Sequence, residues 1–147
     1  MSYFASNKIK KAAILSAFFI FLVALDQYSK AYFSQKSSFF TCNKNLSLGI
    51  GTSILFFWLT WLVLVLVLVR LYIKMGNKTY LEYFFWVFIF SGALSNAADR
   101  LILGCVRDFI PFISANFFIF NIADFLISLG IGGLIYSLFS KKWIRCV

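Results

Sequence analysis

An all-α membrane protein with a bundle of four transmembrane helices is the fold class this sequence predicts, and three observations predict it. Of 147 residues, 62% are hydrophobic and only 13% are charged, too little polar surface to cover the chain in water, so lipid must be its solvent. With 20 Phe and 1 Pro, the apolar content lies in long unbroken runs, which suits helices and not the alternating strands of a membrane barrel. Four runs, at about residues 12–32, 53–73, 80–98 and 118–140, meet the roughly 20 residues needed to cross about 30 Å of hydrocarbon. A single integral-membrane domain over residues 1–147 is expected.

The first run follows Lys8, Lys10 and Lys11 like the basic region of a signal peptide. No small-residue cleavage site follows Ala24 and Leu25, so it reads as a retained first span. Residues 33–52 form a short connection carrying Phe39 and Phe40, which reads equally as a loop or as an amphipathic cover on the membrane surface. Spans three and four carry small residues (Gly92, Ala93, Ser95, Ala97 and Ala98; Ser128, Gly130, Gly132 and Gly133) that let helix backbones approach closely. Trp58, Trp86 and Trp143 lie toward span ends, where indoles anchor a helix in the headgroup zone.

Nine basic residues fall on one side of these spans: Lys8, Lys10, Lys11, Arg70, Lys74, Lys78, Lys141, Lys142 and Arg145. Five fall on the other: Lys30, Lys36, Lys44, Arg100 and Arg107. The positive-inside rule then puts both termini in the cytoplasm. The net charge of +9 is therefore a topology signal, and because the cations form no continuous stripe, no nucleic-acid partner is expected. Cys42, Cys105 and Cys146 lack C-x-x-C spacing, and without a histidine no zinc site, metal or other cofactor is expected. Free thiols are the default, although Cys42 and Cys105 share one face of this topology and are able to pair.

The acidic residues are Asp26, Glu82, Asp99, Asp108 and Asp124. Glu82, near the cytoplasmic start of span three, reads as an interfacial charge. The four aspartates all map to the outer ends of spans or to the loop joining them, although an ionised Asp at a helix centre costs roughly 2.5–3.5 kcal/mol. Lys30 follows Asp26 by one helical turn and Arg100 adjoins Asp99, so those two have local counter-ions; Asp108 and Asp124 have only Arg107 nearby in sequence. Asn96-Ala97-Ala98-Asp99 and Asn121-Ile122-Ala123-Asp124 share the pattern N-x-A-D, which sets an amide and a carboxylate one turn apart. Asn121 and Asp124 also fit a capping box at the start of span four. A short loop with Gly104 and Pro111 would return Asp108 toward that same start. Two carboxylates side by side share one proton, so one member can deprotonate water while the other hydrogen-bonds a scissile carbonyl. Hydrolytic mechanisms that require histidine are excluded.

The motifs so assembled resemble those of the lipoprotein signal peptidases (signal peptidase II), in order through all four spans. Asp26-Gln27-Tyr28-Ser29-Lys30 resembles D-x-x-[ST]-K, and Asn43 through Gly49 resembles N-x-G-x-x-[FW]-G, with Asn45 and Leu48 departing from it. Ser91 through Arg100 resembles G-G-A-x-G-N-x-x-D-R, with Ser91 and Ser95 in place of glycines. Gly104 through Phe109 resembles G-x-V-x-D-F, and Phe120 through Asp124 resembles F-N-x-A-D, with Phe125 in place of a usual serine. The resemblance implies an intramembrane aspartic endopeptidase in the bacterial cytoplasmic (inner) membrane, with its site toward the extracytoplasmic face. It would remove signal peptides from diacylglyceryl-modified prolipoproteins. It implies Asp108 and Asp124 as the catalytic pair, with Asp26, Lys30, Asn43, Gly92, Asn96, Asp99, Arg100 and Asn121 supporting the site or contacting substrate. Prolipoprotein and membrane lipid are the expected partners of a monomer. Two other classes fit parts of the pattern: a small proton- or ion-coupled transporter or channel subunit, and a noncatalytic member of the family.

Overall fold

The structure, a computed structural model, describes residues 2–36, 40–44, 54–76, 78–111 and 119–144. Four helices dominate it: α1 (Ser2–Lys36), α2 (Ile54–Lys74), α3 (Tyr80–Leu103) and α4 (Ile122–Ile144). Among the described residues between them run four short strands, β1 (Thr41–Asn43), β2 (Val106–Asp108), β3 (Ile110–Pro111) and β4 (Ile119–Phe120). Among the described residues, Tyr80–Leu103 and Ile122–Ser140 are long and apolar enough to cross a membrane by length and composition. The first, third and fourth helices extend beyond the expected spans, because polar residues such as Asp99 and Lys36 continue the helical hydrogen bonding once the hydrophobic run has ended.

Helix α3 is central and packs along both α4 and α1. Its start is fixed by a capping box: the Thr79 hydroxyl accepts from the Glu82 backbone N–H at 3.3 Å, and the Thr79 N–H donates to Glu82 Oε2 at 2.8 Å. Glu82 is fully buried, and its other oxygen accepts from the Ser137 hydroxyl of α4 at 2.6 Å. It is a structural cap that staples α3 to α4, a correction to its reading as an interfacial charge. Gly104, at φ 73°, ends α3 in the left-handed conformation that glycine adopts without strain, and its N–H donates to the Arg100 carbonyl at 3.1 Å.

The interior is unlike that of a water-soluble protein. Its most fully buried side chains include Lys30, Glu82, Asp26, Asp99 and Asn121, while Ile20, Leu64, Leu101 and Phe139 are more than half exposed. Apolar groups face outward on every helix and polar groups meet inside, as expected where lipid is the solvent. Apolar packing is concentrated around Trp86, Ile89 and Leu134, against which Leu68 and Tyr72 of α2 and Met75 just beyond it are seated. Close helix approach is evident at Gly92, where an added Cβ would lie 2.5 Å from the Ala123 carbonyl oxygen. A Cβ at Gly130 would likewise meet the Phe85 carbonyl at 2.7 Å.

Two small antiparallel ladders gather the connections at one end of the bundle. β1 pairs with β2 in the register Thr41 to Asp108, Cys42 to Arg107 and Asn43 to Val106. A Cys42–Cys105 disulfide, with Cα atoms 5.5 Å apart, closes the same ladder. β3 pairs with β4 in the register Ile110 to Phe120 and Pro111 to Ile119. This second ladder makes the return between Asp108 and α4 that Gly104 and Pro111 suggested. Asn45, Leu48 and Gly49 of the second motif, and Phe39, lie outside the described residues.

Candidate active site

Asp108 closes β2, and Asn121 stands immediately before α4. Pairing of Ile110 with Phe120, together with a hydrogen bond from the Phe109 N–H to the Phe120 carbonyl at 3.1 Å, leaves these two residues facing each other. The Asn121 side-chain amide donates to Asp108 Oδ1 at 2.6 Å. From the neighbouring β1, the Asn43 amide donates to Asp108 Oδ2 at 3.0 Å.

Asp124 lies one turn into α4 and takes part in the expected capping box. Its N–H donates to Asn121 Oδ1 at 3.0 Å, and its Oδ2 accepts from the Asn121 N–H at 3.3 Å. Its remaining oxygen, Oδ1, accepts from the Asn96 amide of α3 at 2.8 Å. Capping and proximity to Asp108 are thus both present: one asparagine is bonded to both acidic residues, and the charge of Asp124 acts on Asp108.

Burial is the main cause that pushes the Asp108 carboxyl up to about 6. The Asn43 amide opposes that shift, the charge of Asp124 adds to it, and the Asn121 amide and the Lys30 charge oppose it.

Behind this pair stands a buried ionic layer. Lys30 Nζ lies 2.7 Å from Asp26 Oδ2 and 3.7 Å from Asp99 Oδ2, and it donates to Asn96 Oδ1 at 2.7 Å. Asn96 therefore spans from the lysine to Asp124. Asp26 also accepts from the Ser95 hydroxyl at 2.6 Å and from the Ala123 N–H at 2.8 Å. That last donor is one of the N–H groups left without an intrahelical partner at a helix N-terminus, where a carboxylate is favoured by the helix dipole. Gly92 makes this meeting of α1, α3 and α4 possible by letting α3 pass against Ala123.

Two local pairings expected from sequence are replaced by longer-range ones. Asp99 is held by Arg107, which donates from its backbone N–H at 3.0 Å, from Nε at 3.1 Å and from a terminal nitrogen at 2.7 Å. The charge of Arg100, the chain neighbour of Asp99, faces Asp108 and Asp124 as well as Asp99. Consecutive helix positions point about 100° apart, so adjacency in sequence does not make a pair. Likewise, the Asn96 amide serves Asp124 and not Asp99.

Gln27 and Ser95 were not foreseen as members of the network. The Gln27 amide nitrogen donates to Asp99 Oδ1 and to Ser95 Oγ, each at 2.9 Å, and its oxygen accepts from Arg107 at 2.7 Å. Ser95 was visible only as a small residue for helix approach and as a departure from a motif glycine, and Gln27 only as an unspecified position of the D-x-x-[ST]-K motif.

All ten sequence-predicted site residues thus lie in or against one network. Among the described residues, no group of His, Cys, Asp and Glu side chains is arranged to hold a metal.

Residues 18–140 match the family described as signal peptidase (SPase) II. A lipoprotein signal peptidase of Brevibacillus brevis is 31% identical over 133 residues, covering 80% of this chain and 89% of the relative. One from Synechocystis is 42% identical over 84 residues, covering 56% of this chain and 52% of the relative, and one from Gloeothece citriformis is 37% identical over 87 residues, covering 58% and 54%. The chain thus spans about half the length of the cyanobacterial relatives it matches. A bacterial membrane enzyme solved by the in meso method shares the fold, with a TM-score of 0.75 at 24% identity over 88% of this chain and 90% of that one.

Proposed function

The chain belongs to the signal peptidase II family, and from that premise we propose that it is an intramembrane aspartic endopeptidase that removes signal peptides from diacylglyceryl-modified bacterial prolipoproteins. Asp108 and Asp124 are its catalytic pair. The observation that carries this reading is the bridging of both residues by Asn121, which donates to Asp108 Oδ1 and caps the turn that holds Asp124. Charge balance supports it further. Among the described residues, the aspartates Asp26, Asp99, Asp108 and Asp124 face the cations Lys30, Arg100 and Arg107, so one added proton makes this cluster neutral. The raised proton affinity of Asp108 fits a carboxyl that shares that proton.

In the reaction, the ionised member takes a proton from water as its oxygen attacks the scissile carbonyl, and the protonated member hydrogen-bonds the carbonyl oxygen as negative charge develops there. Collapse of the tetrahedral intermediate breaks the C–N bond, and a proton held by the pair passes to the leaving amine. Asn43 and Asn121 keep Asp108 in place, and the cation of Arg100 limits the cost of negative charge in the site.

All four helices span the membrane with both termini in the cytoplasm, and the pair works at the extracytoplasmic face of the inner membrane. The basic-residue asymmetry supports this orientation. The Cys42–Cys105 disulfide beside Asp108 supports it independently, because disulfides persist on the oxidising side. A site at that face lets the acyl chains of the substrate stay in lipid while water reaches the carboxylates.

The test is cleavage of a lipidated prolipoprotein by purified, detergent-solubilised protein. Asp108→Asn and Asp124→Asn each lose activity by about 10²–10⁴-fold or more with helical content unchanged. Full activity in either variant overturns the assignment. Aspartate-dependent proton or solute flux in proteoliposomes, without peptide product, would assign the chain to transport instead.

A further inference from the structure

About 20 Å along α3 from Asp99, at 1.5 Å per residue, a second feature has no part in the proposed chemistry. A groove of about 600 Å³ opens between α1, α2 and α3, walled by Leu15 and Phe19, by Tyr72, and by Tyr83, Trp86 and Phe90. Its size falls within the roughly 300–1,000 Å³ of ordinary ligand pockets. Two ammonium groups stack on tyrosine rings that line it, one on α3 and one on α2. Lys11 Nζ lies 3.7 Å from the ring centroid of Tyr83, and Lys78 Nζ lies 4.0 Å from that of Tyr72. Neither lysine forms an ion pair among the described residues. Trp86, only 2% exposed, carries a buried Nε1 with no hydrogen-bond partner. A buried N–H without an acceptor is unfavourable, and groups of this kind in native structures commonly mark a site whose partner is missing.

The geometry points to a binding site for an anionic diacyl phospholipid from the lysine-rich side of the membrane, with an acyl chain in the groove, an ester carbonyl as acceptor for Trp86 Nε1 and the phosphate between Lys11 and Lys78. Apolar walls, one unused donor and two cations without an ion pair among the described residues, one of them also donating to the Gly76 carbonyl at 3.1 Å, match the three chemical parts of such a lipid in order. Charge disfavours the other occupants. A signal helix carries a basic region at this end, which Lys11 and Lys78 would repel. A second copy of the chain seated there would bring its own lysines against them.

The experiment compares phosphatidylglycerol with phosphatidylcholine on the full chain in detergent. Thermal shift reads stabilisation, and native mass spectrometry reads retained lipid. The wild type is stabilised more by phosphatidylglycerol. The Lys11→Gln/Lys78→Gln variant binds that lipid at least tenfold more weakly and no longer prefers it, with its unliganded melting temperature unchanged. In a chain whose Trp58, Trp61 and Trp143 are replaced by Phe, phosphatidylglycerol with brominated acyl chains quenches Trp86 fluorescence. Equal response to the two lipids, full binding by the lysine variant, or no quenching of Trp86 overturns the proposal. So does displacement of the brominated lipid by a signal peptide with a basic start, which would give the groove to the substrate.

Discussion

Asp108 is pulled in opposite directions by the groups around it, and its titration is therefore the sharpest probe of the site. The Asn43 amide favours the ionised form, so removing it raises proton affinity further. In Asn43→Ala, the limb of the pH–rate profile that follows Asp108 moves to higher pH, whereas a residue with only a packing role would lower the rate without moving the limb. Linkage gives a companion result. Because folding raises this carboxyl from an ordinary 3.8 to about 6, its ionisation costs the fold nothing below the lower value and its full penalty above the upper one. Lys30 is the other decisive residue. It is fully buried, with Asp26 and Asp99 as its ion partners, so Lys30→Met leaves buried carboxylates uncompensated and destabilises by about 3–5 kcal/mol. Adding Asp26→Leu should recover part of that loss in a thermal-unfolding assay. At this scale the sequence was legible where charge is scarce, because an aspartate in a hydrophobic chain stands out. Its partners were less legible. The exchange between Arg100 and Arg107 depends on how the chain turns at Gly104, which spacing alone does not encode.

Among the elements, the helices were readable from hydrophobic runs, and their ends were not, because capping and side-chain networks carry them past the apolar limit. The helix α3 starts at a buried capping box and ends at a left-handed glycine, and neither feature depends on hydrophobicity. Strands of two or three residues leave no periodic trace. Even so, β1 and β2 present Asn43 to Asp108, and β3 and β4 bring Asn121 to its other side. The helix crossing at Gly92 gives a direct test. A methyl group there would sit 2.5 Å from the Ala123 carbonyl oxygen and 2.8 Å from Ile127 Cγ1. Gly92→Ala should therefore displace the first turn of α4, cost about 1–3 kcal/mol and reduce cleavage by disturbing both Asp124 and the Ala123 bond to Asp26. Gly132→Ala is the control, since nothing lies within 4 Å of an added Cβ there, and it should be neutral in both assays.

Taken as a whole, the molecule separates a polar, disulfide-closed end from the end bearing Lys11 and Lys78, and the proposed orientation assigns these ends to opposite membrane faces. Cys42 is exposed and paired with the buried Cys105. In spheroplasts of a strain carrying the Cys146→Ser variant, a membrane-impermeant maleimide should label Cys42 only after an impermeant reductant has opened the disulfide. Labelling that appears only in permeabilised cells would invert the topology. The four helices were evident from the hydrophobic runs, and the gathering of the four aspartates at one end of the bundle from their positions in the chain. The depth of polar burial was not, since no sequence pattern announces that Lys30 has 0% exposure.

The contact between Lys30 and Asp26 bears on biogenesis. In the proposed topology α1 would meet lipid before α3 and α4 are made, when neither Asn96 nor the Ala123 N–H is available to it. Because Asp26 and Lys30 lie one turn apart and 2.7 Å from each other, in the proposed topology α1 would enter the bilayer with this buried pair already neutralised. The later helices then complete a polar layer that never had to exist as bare ions in hydrocarbon.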